Sequence, residues 1–160
     1  VLYQDSSVVA LDKPAGIAAL ALSPNDTATV ANFLIARFPE TLAASGRALE
    51  PGIVHRLDTD TSGVLLAARD ADSYRALRAD FRQGRVDKEY LAVVDGRVDA
   101  AGVLRTPLRG DPRDRRRVVP CEAGASDARP ASTEYRPIVS RREFSVLVVR
   151  IHTGVRHQIR

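Results

Sequence analysis

Asp58 and Asp60 lie two residues apart in Gly52-Ile53-Val54-His55-Arg56-Leu57-Asp58-Thr59-Asp60-Thr61-Ser62-Gly63, a run that also carries three hydroxyls. A β-prone approach, a tight polar segment and the apolar run Val64–Ala68 behind it would aim one short side chain out of a rigid frame. That is the setting a reactive carboxylate needs, because a positioned and ionised carboxylate can act as a covalent catalyst or a proton acceptor. Asp58 is the better candidate of the two. Leu57 beside it can anchor the turn in the core, whereas Asp60 sits among hydroxyls that suit an exposed cap. The same letters also describe an ordinary capped turn, so the run alone leaves both readings open.

Alternation and spacing indicate which elements must hold this run. Val1–Tyr3 and Val8–Leu11 are short β-prone stretches across the turn-forming Gln4-Asp5-Ser6-Ser7, which predicts a small hairpin. Lys13-Pro14-Ala15-Gly16 then bends the chain, since proline forces its predecessor to extended geometry and glycine accepts positive φ. Ser23-Pro24-Asn25-Asp26-Thr27 supplies capping chemistry for a helix over about 28–37, where Val30, Phe33, Leu34 and Phe38 recur at helical spacing before Pro39. Residues 40–51 read as a polar connection. Ala71 to Gln83 reads as an amphipathic helix with Tyr74, Leu77 and Phe81 on one face, stopped by Gly84.

The second half of the chain is richer in strand. Val86 to Val94 reads as a strand on which Lys88 and Tyr90, two apart, share a face. Asp95-Gly96 offers a turn. Two long strands follow at Ala131 to Val139 and Glu143 to His152; the second alternates apolar residues on both sides, which predicts burial on at least one face and mostly on both. Thr153-Gly154 breaks it, and His157-Gln158-Ile159-Arg160 is expected to open a helix. Hairpin connections outnumber helical crossovers, so the fold class is α+β with a mixed, mainly antiparallel sheet flanked by helices and loops.

The chain has 160 residues, 44% hydrophobic and 28% charged, as expected of one globular domain. No apolar run approaches membrane-spanning length, and no signal or transit segment is recognisable, so no membrane partner is expected. One cysteine, Cys121, excludes an internal disulfide and fits a cytoplasmic location. The net charge of +4 is modest, but residues 105–117 hold Arg105, Arg109, Arg113, Arg115, Arg116 and Arg117 against only Asp111 and Asp114. A guanidinium fork suits phosphate oxygens and base stacking, so this patch points to nucleic acid. A solvated arginine-rich loop is the plainer alternative. Three histidines and one cysteine match no zinc spacing, and no glycine-rich phosphate loop is present, so neither metal nor cofactor is expected. The chain lacks methionine altogether and stops inside a recognisable motif, which leads us to expect a domain incomplete at its C-terminus.

Gly52-Ile53-Val54-His55-Arg56-Leu57-Asp58-Thr59-Asp60-Thr61-Ser62-Gly63 followed by Val64–Arg69 resembles the H-R-L-D-x-x-T-S-G signature of the RluA-type pseudouridine synthases. Lys88-Glu89-Tyr90 is similar to the K-x-Y element of that family, His157-Gln158-Ile159-Arg160 to its H-Q-[IL]-R element, and Lys13-Pro14-Ala15-Gly16 to its opening loop. Four blocks in the right order span nearly the whole chain. The resemblance implies a single pseudouridine synthase catalytic domain over 1–160, with a central mixed sheet and an active site in a cleft across it. The implied activity is isomerisation of uridine to pseudouridine in ribosomal or transfer RNA, without cofactor, by a monomer.

By the same resemblance Asp58 is the catalytic aspartate, Arg160 the cation that holds it, and Tyr90 the aromatic that stacks on the target uracil and can relay a proton. Arg56 corresponds to the arginine that fills the gap left when the uridine leaves its stack. His55 and Lys88 match motif positions as supports of the substrate-binding surface. Arg156 is displaced: the family reads T-G-R-x-H-Q, whereas Thr153-Gly154-Val155-Arg156-His157-Gln158 carries its basic residue one place later, which puts its substrate contact in doubt. Two other classes stay open at this level, a non-catalytic RNA-binding module that keeps the fold and a glycosidase that releases free uracil.

Overall fold

The computed structural model describes residues 1–21, 25–47, 50–114 and 117–160. Ser23 and Pro24 of the expected capping loop, and Arg115 and Arg116 of the arginine run, lie outside the described residues. The chain divides into two compact units, Val1–Arg85 and Val86–Arg160.

The first unit is built on three antiparallel strands in the order β1 (Tyr3–Gln4), β2 (Val8–Lys13), β3 (Gly63–Ala68). The predicted hairpin is therefore present. Cross-strand pairs Val9 with Ala67 and Leu11 with Leu65 place four buried side chains on one face. Helix α1 (Val30–Arg37) covers them with Val30, Ala31 and Leu34, joined by Phe38 and Ile53. Each fully buried leucine or valine here stabilises the unit by about 1.5–3 kcal/mol. The helix starts two residues later than expected, because Thr29 forms a complete capping box with Asn32: Thr29 Oγ1 accepts from the Asn32 backbone N–H at 3.3 Å while Asn32 Oδ1 accepts from the Thr29 N–H at 3.2 Å. A four-residue helix α2 (Thr41–Ala44) lies inside the stretch read as a connection, too short to leave a periodic signal. Helix α3 (Ala71–Arg82), capped by Asp70, packs on β3 and α2.

The second unit carries a four-stranded antiparallel sheet in the order β4 (Glu89–Asp95), β9 (Phe144–Ile151), β8 (Thr133–Ser140), β5 (Gly102–Leu104), and a separate two-stranded hairpin, β6 (Leu108–Gly110) with β7 (Val118–Pro120). The described strands thus fall into three sheets rather than one, and all their pairings are antiparallel. Strand β9 is buried on one face only: Ser145, Leu147, Val149 and Ile151 are covered while Phe144 and Arg150 are exposed. The expected burial on at least one face is present, and burial on both is not. Valines on both sides of a strand do not say which side meets the core. The expected helix at His157 is also absent. Residues 156–159 form turns, closed by Gln158 N–H to Val155 O at 3.2 Å and Arg160 N–H to His157 O at 3.1 Å. His157 itself lies in the left-handed region at φ 55°, which a right-handed helix does not accommodate.

Candidate active site

In the first unit, the run carrying Asp58 is held from three directions. Its approach lies against β3 as an extra irregular edge: Ala68 N–H donates to Gly52 O at 2.8 Å, Ile53 bridges Ala67, and Val54 N–H donates to Leu66 O at 3.3 Å. Gly52 is required there. Its φ is 62°, and a Cβ at this position would stand 2.1 Å from the Ala68 carbonyl oxygen. Helix α3 supports the run from beside it with residues one turn apart. Arg78 Nη1 donates to Val54 O at 3.0 Å, and the Phe81 ring stacks on His55 with centroids 4.7 Å apart. His55 Nε2 in turn accepts the Leu66 N–H at 3.1 Å, so this imidazole fixes the run to β3.

The third hold comes from the opening loop. Thr59 O, one residue past Asp58, accepts from Gly16 N–H at 2.9 Å and from Lys13 Nζ at 2.9 Å. Lys13 is only 1% exposed, and its ammonium also donates to Pro14 O at 2.8 Å and Ile17 O at 2.7 Å. All three of its hydrogens therefore have an oxygen. Burial pushes the Lys13 amine below its ordinary range, while the carboxylates of Asp60 and Asp58 oppose the shift. Between these holds Thr61 N–H closes a turn on Asp58 O at 3.0 Å. Asp58 is half-buried, whereas Arg56 and Asp60 are exposed.

In the second unit, Tyr90 on β4 pairs with Val149 of β9, and its ring packs with Ile159 against the cluster of Leu147, Val149 and Ile151. Lys88 is half-buried on the same side and donates from Nζ to Thr153 O at 3.1 Å; burial lowers its pKa. The turn that ends in Arg160 is tied down by Gln158. Its Oε1 accepts from Thr153 Oγ1 at 2.8 Å and Val155 N–H at 3.1 Å, and its Nε2 donates to Ser132 O at 3.0 Å and Thr133 Oγ1 at 2.9 Å. Arg156 is exposed and reaches back to Arg117 O at 3.4 Å, a contact within the protein. Arg160 and His157 line a cavity of about 400 Å³ together with Arg117 and Val118.

The structure therefore groups His55, Arg56 and Asp58 in one unit and Lys88, Tyr90, Arg156 and Arg160 in the other. Sequence reasoning passed over two positioning residues, Lys13 and Gln158. A signal existed for the first: Val9, Leu11 and Lys13 alternate along β2, which puts the lysine on the core face. Gln158 lies inside the H-Q-I-R block, but no local spacing marks it as a fastening, since its partners Ser132 and Thr133 sit at a strand start 26 and 25 residues away in sequence. Among the described residues, no cluster of three or more His, Cys, Asp or Glu side chains is disposed to hold a metal ion, and no helix is long and apolar enough to cross a membrane.

Comparison with known proteins bears on this geometry. A model of the RNA pseudouridylate synthase family matches residues 7–160. An uncharacterised RNA pseudouridine synthase from Chloroflexus aurantiacus is 42% identical over 149 residues, covering 93% of this chain and 45% of its own. A ribosomal large subunit pseudouridine synthase D from Xanthomonas campestris pv. campestris is 41% identical over 160 residues, covering 100% of this chain and 46% of its own. Among solved structures, human RNA pseudouridylate synthase domain containing 4 superposes with a TM-score of 0.74 at 26% identity, covering 100% of this chain and 61% of that one. The chain spans about half the length of the curated relatives it matches.

Proposed function

Because the chain belongs to the RNA pseudouridylate synthase family, we propose that the protein isomerises specific uridines of folded RNA to pseudouridine, with Asp58 as the carboxylate that carries the reaction. Curated relatives named for the ribosomal large subunit make ribosomal RNA the favoured substrate. The observation that carries the assignment of Asp58 is the fixing of its loop. Carbonyl oxygens on both shoulders of this half-buried aspartate are held by side chains from elsewhere in the fold, Val54 O by Arg78 and Thr59 O by Lys13. Such restraint is what a reacting group needs and an ordinary surface turn does not.

The reaction breaks the N1–C1′ bond, turns the uracil and rejoins it through C5, from which one proton leaves while N1 gains one. It is redox-neutral and needs no cofactor. Asp58 supplies the charge that assists cleavage, either as a nucleophile or by stabilising cationic sugar character. In this reading Arg160 supplies positive charge to the reaction, and Tyr90 stacks on the detached base and accepts or relays the C5 proton. Drawing the uridine out of its stack costs a few kcal/mol, and the exposed Arg56 offsets part of this by stacking in the vacancy. His55 and Lys88 hold the loop and the strand end through the contacts described above.

The test is release of tritium from RNA labelled at uridine C5. The Asp58→Asn variant is expected to lose activity by on the order of 10⁴-fold or more, the scale on which loss of a covalent catalyst is felt. Undiminished release by that variant removes Asp58 from the mechanism. Binding without any release by the unmodified protein would favour a non-catalytic module, and free uracil among the products a glycosidase.

A further inference from the structure

At one end of the four-stranded sheet, three stretches of chain that are distant in sequence meet on Thr153. Its hydroxyl accepts the Ser132 N–H at 3.0 Å and donates to Gln158 Oε1 at 2.8 Å, and its carbonyl accepts from Lys88 Nζ at 3.1 Å. Gln158 closes the junction. Its Oε1 also accepts the Val155 N–H at 3.1 Å, while its Nε2 donates to Ser132 O at 3.0 Å and Thr133 Oγ1 at 2.9 Å. Both amide hydrogens and both lone pairs of that oxygen are thereby used, which leaves the side chain one orientation. Satisfied polar networks of this kind rigidify what they join. Here they join the start of β4, the start of β8 and the turn after β9. Both fastened ends lead to Tyr90. It follows Lys88 by two residues, and Ile159, next to Gln158, packs with it on the cluster of Leu147, Val149 and Ile151.

We propose that Thr153 is a positioning residue of the reaction: through Lys88 and Gln158 it fixes both flanks of Tyr90, so that the ring stands ready for the detached uracil. The proposal rests on the isomerase reading for the role of Tyr90 and adds to it a group that acts only through others. An aromatic that stacks on a base and also takes its proton has to meet it in one place and at one tilt. A displacement of about 1 Å can cost on the order of 10²-fold in rate. The start of β4 has little precision of its own. Glu89, between Lys88 and Tyr90, is exposed, and its ion pair with Arg150 at 3.6 Å is solvated at both ends. Thr153 supplies the missing restraint with its backbone oxygen and its hydroxyl together. Valine in its place would keep the shape and the carbonyl, but would leave the Ser132 N–H and Gln158 Oε1 without this partner.

The experiment combines tritium-release kinetics with fluorine magnetic resonance of protein carrying 3-fluorotyrosine, the Tyr90 signal being assigned by its loss in Tyr90→Phe. Thr153→Val is expected to lower kcat about 10- to 100-fold with KM for RNA unchanged, and Thr153→Ser, which restores the hydroxyl, to recover it. In Thr153→Val the Tyr90 resonance should shift or broaden while those of Tyr3 and Tyr74, in the first unit, stay in place. Because the two residues act through one junction, Thr153→Val combined with Gln158→Leu should cost no more than the worse single change. Should Thr153→Val not fold, Gln158→Leu, which keeps the Thr153 bond to Ser132, gives the same reading. A lowered melting temperature with kcat and the Tyr90 resonance unchanged makes Thr153 a structural brace and overturns the proposal. So does a rise in KM alone, or a cost in the double variant equal to the sum of the two. The resonance is read without turnover, so failure of tritium release in the unmodified protein would defeat the isomerase reading and leave the fastening of Tyr90 to be judged by its own signal.

Discussion

Lys13 shows how one residue can govern a loop it does not belong to. Its ammonium is enclosed, gives one hydrogen bond to each of three carbonyl oxygens, and reaches Thr59 across 46 residues of sequence. Replacing it by methionine keeps the bulk and leaves the Pro14, Ile17 and Thr59 oxygens short of a donor. We expect Lys13→Met to lower stability by about 2–4 kcal/mol in urea denaturation. The same residue has a pH signature. Burial lowers its pKa in the folded protein, so on the way up to the ordinary lysine value of about 10.4 the unfolded chain holds more protons than the folded one. Stability conferred by the wild-type lysine therefore rises with pH through that interval, and the gap to Lys13→Met should widen. A gap independent of pH there would mean that burial does not depress this amine. In the sequence, Lys13-Pro14-Ala15-Gly16 reads only as a bend and an opening loop; the alternation of Val9, Leu11 and Lys13 marks the core face but not the carbonyl oxygens that accept from the ammonium.

Elements were legible where periodicity is strong. Helices α1 and α3, the first hairpin and the three long strands of the second half lie within a few residues of their predicted spans, since alternation and 3.6-residue spacing are local properties. Faces were not legible. Ser145 sits on the covered side of β9 with no exposure, accepting the Val98 N–H at 2.8 Å and donating to Gly96 O at 2.9 Å. It thereby fastens the turn after β4 to the middle of the sheet. Ser145→Ala should cost about 1–3 kcal/mol, because both backbone groups lose a buried partner, and should accelerate amide exchange at Val98. An unaltered exchange rate would mean that the turn holds without the hydroxyl. The turn at 156–159 is a similar case: H-Q-I-R has the letters of a helix start, but Gln158 spends its amide on Ser132 and Thr133 instead of on a growing helix.

For the whole molecule, charge is the property that sequence alone predicts and solution measurement can test. On the proposed reading, a net charge of +4 with arginines concentrated in residues 105–117 predicts association with RNA through phosphate contacts and release of counterions. The apparent affinity for folded RNA should therefore fall linearly with salt on logarithmic axes. Affinity insensitive to salt would argue that recognition is carried by base contacts and shape. The division into two compact units, by contrast, is invisible in composition: no linker of glycine, proline or serine separates Arg85 from Val86.

By itself the sequence determined the α+β class, the positions of the main elements and, through four ordered blocks, the family. Those are matters of short-range pattern, and a pattern survives in one dimension. Tertiary structure decided which polar residues serve as internal fastenings, because Lys13, Ser145 and Gln158 each take at least one partner that folding brings from 25 to 49 residues away. It also decided the conformation around His157, where hydrogen bonds to a distant strand outweigh the local preference for helix.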